Sequence, residues 1–207
     1  MPTVPKTSEA EILAEARRLV ARDGAAAFSL GELAAAVGVK APSLYKRFSG
    51  GREAILRGVA GAVGRELAER LLAAAGKGSL EARLRAVARA QRAFARREPR
   101  LYALVFAPTS EAAAPAAGPP AGAMQGLLAL LGEWMGGGAE VLEGARLLVA
   151  FTHGFAGMEA SGAFRLGGDV EAAFEFGLDR ILGSLRGRKR AVRASGGRGP
   201  NGPSPPR

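Results

Sequence analysis

The chain has 207 residues, 48% hydrophobic and 6% aromatic, with a formal net charge of +10 and no cysteine. This composition excludes disulfides and thiolate metal sites. The sequence has no uncharged apolar run of about 18 residues and no secretory signal in residues 1–11, so we expect a cytoplasmic protein without a membrane span. Ala and Leu are abundant and β-branched residues are sparse, which predicts an all-α fold.

The positive charge is unevenly distributed along the chain. Residues 1–52 contain eight basic and five acidic side chains, residues 53–185 contain fourteen of each, and residues 186–207 contain seven basic side chains and no acid. An excess of basic over acidic side chains favours nucleic acid or an anionic surface as the binding partner. Most of the excess lies in the Arg-, Gly- and Pro-rich end, so we predict a disordered basic tail over residues 187–207 that attracts phosphates non-specifically.

Two helices are predicted near the start of the chain. Residues 8–23 have apolar side chains at helical spacing, with Ser8 as N-cap and Gly24 as the stop. Ser29 followed three residues later by Glu32 predicts a capping box that opens the second helix.

A third short helix follows after Gly38. Pro42 occupies its first turn, where the missing N–H costs nothing, and Leu44 and Phe48 point inward. Two short helices joined in this way favour a helix-turn-helix, with a plain three-helix cluster as the alternative. The outward face of the third helix would offer hydroxyls and cations to DNA: Ser43, Lys46 and Arg47.

Six further helical patterns follow. The Pro- and Ala-rich residues 107–120 are predicted to form a loop. The helices are predicted over residues 52–75, 79–97, from Pro99 onward, and over 122–135, 139–163 and 169–186.

The last two helices are apolar on more than one face. Leu147, Leu148, Val149 and Phe151 are nearly consecutive, and a helix apolar all round is buried on both sides. We expect one side to meet the chain's own core and the other to meet a second subunit, with Leu178 and Ile181 in the interface. The alternative is a compact monomer.

Several large side chains from residue 94 onward could line a cavity between helices, although each of them taken alone is better explained as plain core. The only histidine, His153, could be a buried polar contact or a hydrogen-bond partner of a ligand. No Asp-and-nucleophile set is visible around it, and a lone His without Cys is a poor start for a metal site, so we expect no enzyme, metal or cofactor. The candidate pocket residues are Phe94, Tyr102, Phe106, Met124, Trp134, Phe151, His153 and Met158.

Residues 9–60 resemble the N-terminal domain of TetR-family repressors. The resemblance rests on a set of spaced motifs: Ile12 with Ala16, Gly24, Ser29-Leu30 with Leu33-Ala34, Val37-Gly38-Val39, Ser43-Leu44-Tyr45-Lys46-Arg47-Phe48, and Arg52-Glu53.

The resemblance implies roles for particular residues. Residues 40–47, from Lys40 to Arg47, would be the recognition helix and its approach, and Ser29 would contact a phosphate. The family usually has a basic residue where this chain has Gly51, so Arg52 would take that phosphate contact. Contacts to bases would come from Ala41, Pro42 and Ser43, and contacts to phosphates or base edges from Tyr45 and Lys46.

Residues 84–185 resemble one branch of the same family, named for a Trp-His-Gly string in its eighth helix. Here the string is Thr152-His153-Gly154, followed by Phe155, Met158 and Glu159. Thr152 replaces the Trp of that string.

Together these patterns predict an N-terminal helix-turn-helix head over residues 1–52 and a helical ligand-binding and dimerisation domain over residues 53–186. The resemblance implies a homodimeric regulator, by default a repressor, that binds a palindromic double-stranded DNA operator and is released by a small-molecule effector. The alternative is a ligand-independent architectural DNA-binding protein. A small helical enzyme is a weaker rival because paired carboxylates and a nucleophile–base set are missing.

Overall fold

The computed structural model describes residues 7–106 and 121–191, and within these ranges the regular structure is entirely helical, which confirms the all-α prediction. The predicted loop 107–120 and residues 192–207 of the predicted tail lie outside these ranges. No helix of the described segments is long and apolar enough to cross a membrane. The helices are α1 (Glu9–Asp23), α2 (Leu30–Ala36), α3 (Ala41–Arg47), α4 (Gly51–Ala74), α5 (Leu80–Arg97), α6 (Pro99–Val105), α7 (Ala121–Met135), α8 (Val141–Ala160) and α9 (Val170–Ala191).

A capping box opens α1 and not α2. The Ser8 side chain accepts from the Glu11 backbone N–H at 3.2 Å, and the Glu11 carboxylate accepts from the Ser8 backbone N–H at 2.6 Å. The predicted box at Ser29 is wrong, because the Ser29 side chain makes no capping hydrogen bond. Glu32, its expected partner, instead forms an ion pair with Arg22 of α1.

Two helix ends differ from the sequence prediction. Helix α8 ends at Ala160, three residues before the predicted end, at a turn in which the backbone N–H of Ser161 bonds to the carbonyl of Gly157. Helix α9 continues to Ala191, five residues into the predicted disordered tail. Arg and Lys are good helix formers, and cations are favourable near a helix C-terminus, so this basic stretch can prolong the helix.

The first three helices share a core with the start of α4. Leu44 of α3 is completely buried, which fixes the face of α3 that packs on α2. The proposed domain boundary at 52/53 therefore falls in the first turn of α4, a helix that belongs to both parts. The buried side chains of this core are Ile12, Ala16, Leu19, Val20, Phe28, Leu33, Ala34, Leu44, Ile55 and Val59.

The head is also attached to the larger helical part through polar contacts on α1. A guanidinium nitrogen of Arg17 lies 2.7 Å from a carboxylate oxygen of Glu66 in α4. Arg100 of α6 donates to the backbone carbonyl of Ala21 at 3.4 Å. These contacts therefore couple the position of α1 to the positions of α4 and α6.

Helix α9 packs on its own subunit through the face that contains Phe174 and Leu178, both completely buried. The Phe151 ring of α8 stacks on Phe174 with 5.5 Å between centroids. It also lies so close to Gly177 that a Cβ there would come within 2.5 Å of two ring carbons. The expectation that Leu178 faces a second subunit is therefore wrong, because this side chain fills the chain's own core.

Candidate functional site

Helix α3 stands at the surface of the head with a polar face directed outward. Leu44 anchors its inner side, whereas Ser43, Tyr45 and Lys46 are exposed, the Tyr45 side chain to 60%. The connection from α2 is tight, since the Val39 backbone N–H bonds to the Ala34 carbonyl at 2.9 Å.

The predicted DNA-contact residues whose side chains make no hydrogen bond within the described part of the head lie together on and around α3. Ser29, at the start of α2, and Lys40, before α3, are exposed, and Ala41 is half-buried. Within residues 7–106 and 121–191, neither Lys40 nor Lys46 forms an ion pair with an acidic side chain. Two unneutralised cations next to hydroxyl and aromatic groups suit a phosphate-lined groove.

Gly51 is the residue that departs from the family pattern, and the structure gives a physical reason for it. Its φ of +56° lies in the left-handed region that favours glycine. A Cβ at this position would lie 2.7 Å from Cε1 of Tyr45. A longer side chain at Gly51 would displace the Tyr45 ring from the start of α4.

Arg47 is directed towards the start of the chain. Its guanidinium donates to the backbone carbonyl of Thr7, and the Thr7 hydroxyl donates to the Val37 carbonyl at 3.3 Å. Arg47 therefore holds the segment before α1 against the end of α2, and its side chain is half-buried.

Arg52 is also engaged inside the head. Its Nε donates to the Phe28 carbonyl at 3.1 Å, and Nη2 donates to the carbonyls of Ala25 and Ala26. These carbonyls belong to the connection between α1 and α2, so the guanidinium braces that turn. The structure does not bring Arg52 into the exposed set around α3.

A second candidate site is an open cleft of about 440 Å³ between α6 and α8. Three of the predicted pocket residues, Tyr102, Phe106 and His153, lie in its wall. Most of the other lining positions are small or apolar, and the lining residues within the described ranges are Ala95, Pro99, Tyr102, Ala103, Phe106, His153, Ala156, Gly157, Ala160 and Ser161.

A chain of hydrogen bonds crosses the wall of this cleft. The Gln91 side-chain nitrogen donates to the Tyr102 hydroxyl at 3.0 Å, and that hydroxyl lies 3.0 Å from Nδ1 of His153. Burial raises the pKa of the Tyr102 phenol, partly offset by the Gln91 hydrogen bond, so the phenol keeps its proton near neutral pH. The Phe106 ring packs 4.5 Å from the His153 ring and 4.8 Å from the Tyr102 ring.

A second, smaller cavity of about 20 Å³ also has Phe106 in its wall. Phe106 lines both spaces, and Gln91 lines the smaller cavity while its side chain donates to Tyr102 in the wall of the cleft between α6 and α8. The predicted pocket residue Met124 lies here, among Leu67, Leu71, Val87, Leu127 and Val149.

Four predicted pocket residues line neither space. The Phe94 ring is buried, with the guanidinium groups of Arg70 and Arg97 at 5.8 and 5.5 Å from its centroid. The Trp134 indole N–H donates to the Leu182 carbonyl at 3.2 Å and fixes α7 on α9. Phe151 packs on α9 and Met158 is exposed. These side chains were assigned to a cavity from residue type alone, which cannot distinguish one helix interface from another.

A partly buried cluster of ion pairs that the sequence did not reveal joins α5, α8 and the start of α9. The side chain of Arg92 is only 5% exposed, and it lies 2.8 Å from carboxylate oxygens of both Glu159 and Glu171. Its guanidinium stacks over the Phe174 ring at 4.5 Å. The Arg92 hydrogen bond holds the pKa of Glu159 below its usual range. The sequence did not predict this cluster because its residues are far apart in the chain, and each charged residue taken alone is typical of the protein surface.

Thr152 occupies the position where the resembling branch has Trp. It is buried, and its hydroxyl donates to the Leu148 carbonyl at 2.9 Å, within α8. In the part of the chain that the structure describes, no group of three or more His, Cys, Asp or Glu side chains could hold a metal ion.

Comparison with known proteins places this chain in a family. Residues 12–59 match the family of bacterial regulatory proteins of the tetR type, and residues 84–181 match the tetracyclin repressor-like C-terminal domain. The chain belongs to the TetR family of transcriptional regulators, and its fold is that of regulators and not of enzymes. No curated protein gives a significant match.

Solved structures share the fold over most of their length. A protein of unknown function from Rhodococcus sp. RHA1 is 25% identical with a TM-score of 0.74, over 90% of this chain and all of that one. A TetR variant from Acinetobacter baumannii AYE in complex with minocycline is 22% identical with a TM-score of 0.64, over 92% and 100%. The regulator PfmR from Thermus thermophilus is 22% identical with a TM-score of 0.59, over 86% and 96%. The last two likenesses concern the fold alone.

Proposed function

We propose that the chain is a homodimeric, effector-responsive repressor that binds a palindromic DNA operator in the cytoplasm. One observation carries the proposal: Leu44 is completely buried while Ser43, Tyr45 and Lys46 beside it are exposed on the same short helix. A helix anchored in this way can enter the major groove as a rigid unit. Tyr45 and Lys46 would contact the phosphates and base edges, and Pro42 and Ser43 the bases.

Around this helix, Lys40 and Ser29 would contact the phosphate backbone. Arg47 and Arg52 would act from inside the head, since their guanidinium groups are bound to backbone carbonyls. They would hold the segment before α1 and the turn before α2, and so keep α3 at a fixed angle.

Dimerisation would use the outward faces of α8 and α9. The large apolar side chains of Leu147 in α8 and Phe176 in α9 are 46% and 62% exposed. Both helices are apolar on several sides, so these outward side chains would be available to a second copy. Gly154 and Gly183 have open space where a side chain would project, which would allow the helices of a second copy to approach closely. A two-fold axis between copies would match a palindromic operator.

The effector would bind in the cleft between α6 and α8, where His153 of the Thr152-His153-Gly154 string lies. The position of His153 in that wall supports assignment to the Trp-His-Gly branch of the family. Because α6 also contacts α1 through Arg100, a molecule that moves α6 could change the spacing of the two heads. Its effect is limited to its differential affinity for the two arrangements.

Selection of bound sequences from a random DNA pool tests this proposal. We expect enrichment of an inverted repeat whose half-sites lie about one helical turn apart. Binding without any enriched sequence would instead support the architectural alternative, in which the basic end of the chain supplies the affinity.

A further inference from the structure

The hydrogen bonds in the wall of the cleft have a defined direction. The Gln91 nitrogen donates to the Tyr102 oxygen, so the phenolic proton needs an acceptor of its own, since buried hydroxyls are rarely left unpaired. Nδ1 of His153, 3.0 Å away, is the acceptor that the described residues offer. Tyr102 therefore donates to Nδ1.

This direction determines the tautomer of His153. A neutral imidazole carries one proton, and an Nδ1 that accepts a hydrogen bond leaves that proton on Nε2. Within the described ranges no hydrogen bond joins Nε2 to another residue. The half-buried ring lines the cleft, so its Nε2–H is a donor that a bound molecule can use.

The remainder of the wall offers little to a charged ligand. None of the described lining residues carries a formal charge. The Ser161 hydroxyl already donates to the Met158 carbonyl at 3.0 Å. The neighbouring carboxylate of Glu159 is paired with Arg92 and Arg96. An ionised group placed against this wall would lose hydration and gain no charged partner, only the single neutral Nε2–H donor of His153.

We propose that the effector is an uncharged, flat, largely apolar molecule with a carbonyl-type oxygen that accepts a hydrogen bond from Nε2–H of His153. Its ring lies against Phe106, where offset stacking of aromatic groups is favourable. A cleft of about 440 Å³ suits a molecule of this kind. The inference rests on the proposed effector cleft and adds the chemical class of the effector.

The tautomer is tested first, on the full chain labelled with ¹⁵N-histidine. Because His153 is the only histidine, a single pair of ring nitrogen resonances reports on it. We expect the proton on Nε2 in the wild type and a weaker preference for Nε2, nearer that of a free imidazole, in Tyr102→Phe. A proton on Nδ1 in the wild type, or an unchanged tautomer preference in Tyr102→Phe, would overturn the proposal.

The ligand class is tested with probes matched in shape. Acetophenone and 2-acetylnaphthalene carry the ketone, ethylbenzene and 2-ethylnaphthalene lack the oxygen, and benzoate and 2-naphthoate carry a charge. We expect the ketones to bind roughly fivefold more tightly than the hydrocarbons, the value of one ordinary hydrogen bond, and to shift the Nε2 resonance. Carboxylates should bind more weakly than the ketones.

Variants of His153 locate the contact. His153→Leu should equalise ketone and hydrocarbon, whereas His153→Gln, which keeps an N–H donor at similar reach, should restore part of the preference. Leu166→Ala, at a fully exposed position between α8 and α9 outside the cleft lining, is the control and should behave as the wild type.

Equal binding of ketones and hydrocarbons by the wild type, preference for carboxylates, or no response of the His153 resonances to any of the six probes would contradict the proposal. Selection of an operator by the unliganded chain is measured separately. If operator selection succeeds and the ketone preference fails, only the assigned ligand class is refuted.

Discussion

The Tyr45 ring lies directly over Gly51, so close that a Cβ on Gly51 would come within 2.7 Å of Cε1 of Tyr45. The start of α4 thereby fixes the position of an exposed aromatic side chain on α3. Gly51 is thus a positioning residue for the DNA-facing surface, although it offers no side chain to DNA.

Gly51→Ala should destabilise the head by about 1–2 kcal/mol, because the backbone conformation is strained for any L side chain. It should also displace Tyr45 and weaken operator binding. Urea unfolding and a DNA titration measure the two effects. The control is Gly132→Ala in α7, where the added methyl meets nothing within 4 Å, and it should stabilise the chain by about 0.5–1 kcal/mol. Unchanged stability and affinity in Gly51→Ala would contradict the role of this contact.

Leu44→Ala should cost about 2–5 kcal/mol of unfolding free energy, because it leaves a cavity where the side chain is now completely buried. DNA binding should be lost with the folding of the head. Ser43→Ala, one residue earlier and exposed, should change the stability by less than about 0.5 kcal/mol. Circular dichroism during thermal unfolding distinguishes the two variants, and equal stabilities would show that Leu44 does not anchor α3.

Phe176→Glu and Leu147→Glu should convert a dimer to monomers, since each would bury an uncompensated charge between subunits. Sedimentation velocity measures the change. Leu166→Glu, fully exposed between α8 and α9, is the matched control and should remain dimeric. Leu178→Glu should unfold the chain, because Leu178 lies in the core of its own subunit. Well-folded dimers of both Phe176→Glu and Leu147→Glu would place the interface elsewhere.

Glu159→Gln should lower the unfolding free energy at neutral pH by about 1–3 kcal/mol, because buried Arg92 loses a charged partner. The folded-state pKa of Glu159 is lowered, chiefly by the Arg92 hydrogen bond. Its stabilisation is therefore complete above the unfolded carboxyl pKa of about 4.3 and is lost as the pH falls below that value.

The difference between wild type and Glu159→Gln should accordingly shrink as the pH is lowered from about 5 to 3. Glu53→Gln removes an exposed carboxylate 3.9 Å from Arg57 and should have almost no effect at any pH. A wild-type advantage over Glu159→Gln that stays constant down to pH 3 would exclude the ion pair as its source.

Helical periodicity was sufficient to predict where the described helices lie, because a single apolar stripe fixes both the element and its inner face. Periodicity did not identify the inner face of α8 and α9, because these helices are apolar on several sides. Leu178 was therefore assigned to a subunit interface instead of to the chain's own core. Periodicity also could not show that Arg47 and Arg52 bind carbonyls 40 and 24 residues away in the sequence. Such contacts depend on how the turns pack, and residue type alone does not indicate them.

The cleft was predicted only in part, for a related reason. His153, Tyr102 and Phe106 come together because α6 crosses α8, whereas Trp134 was equally apolar in sequence and fixes α7 on α9 instead. The buried cluster of Arg92 joins residues more than 60 positions apart, and no local spacing indicates such a pairing.

The most direct test of the central claim, that α3 reads DNA, is an operator titration of Lys46→Ala at several salt concentrations. Binding should weaken by roughly 1–3 kcal/mol if Lys46 contacts a base, and the salt dependence should become shallower if it contacts a phosphate. Lys77→Ala removes the same charge at an exposed position between α4 and α5 and should leave both quantities unchanged. If Lys46→Ala binds the selected operator with the affinity, sequence preference and salt dependence of the wild type and of Lys77→Ala, the account is contradicted.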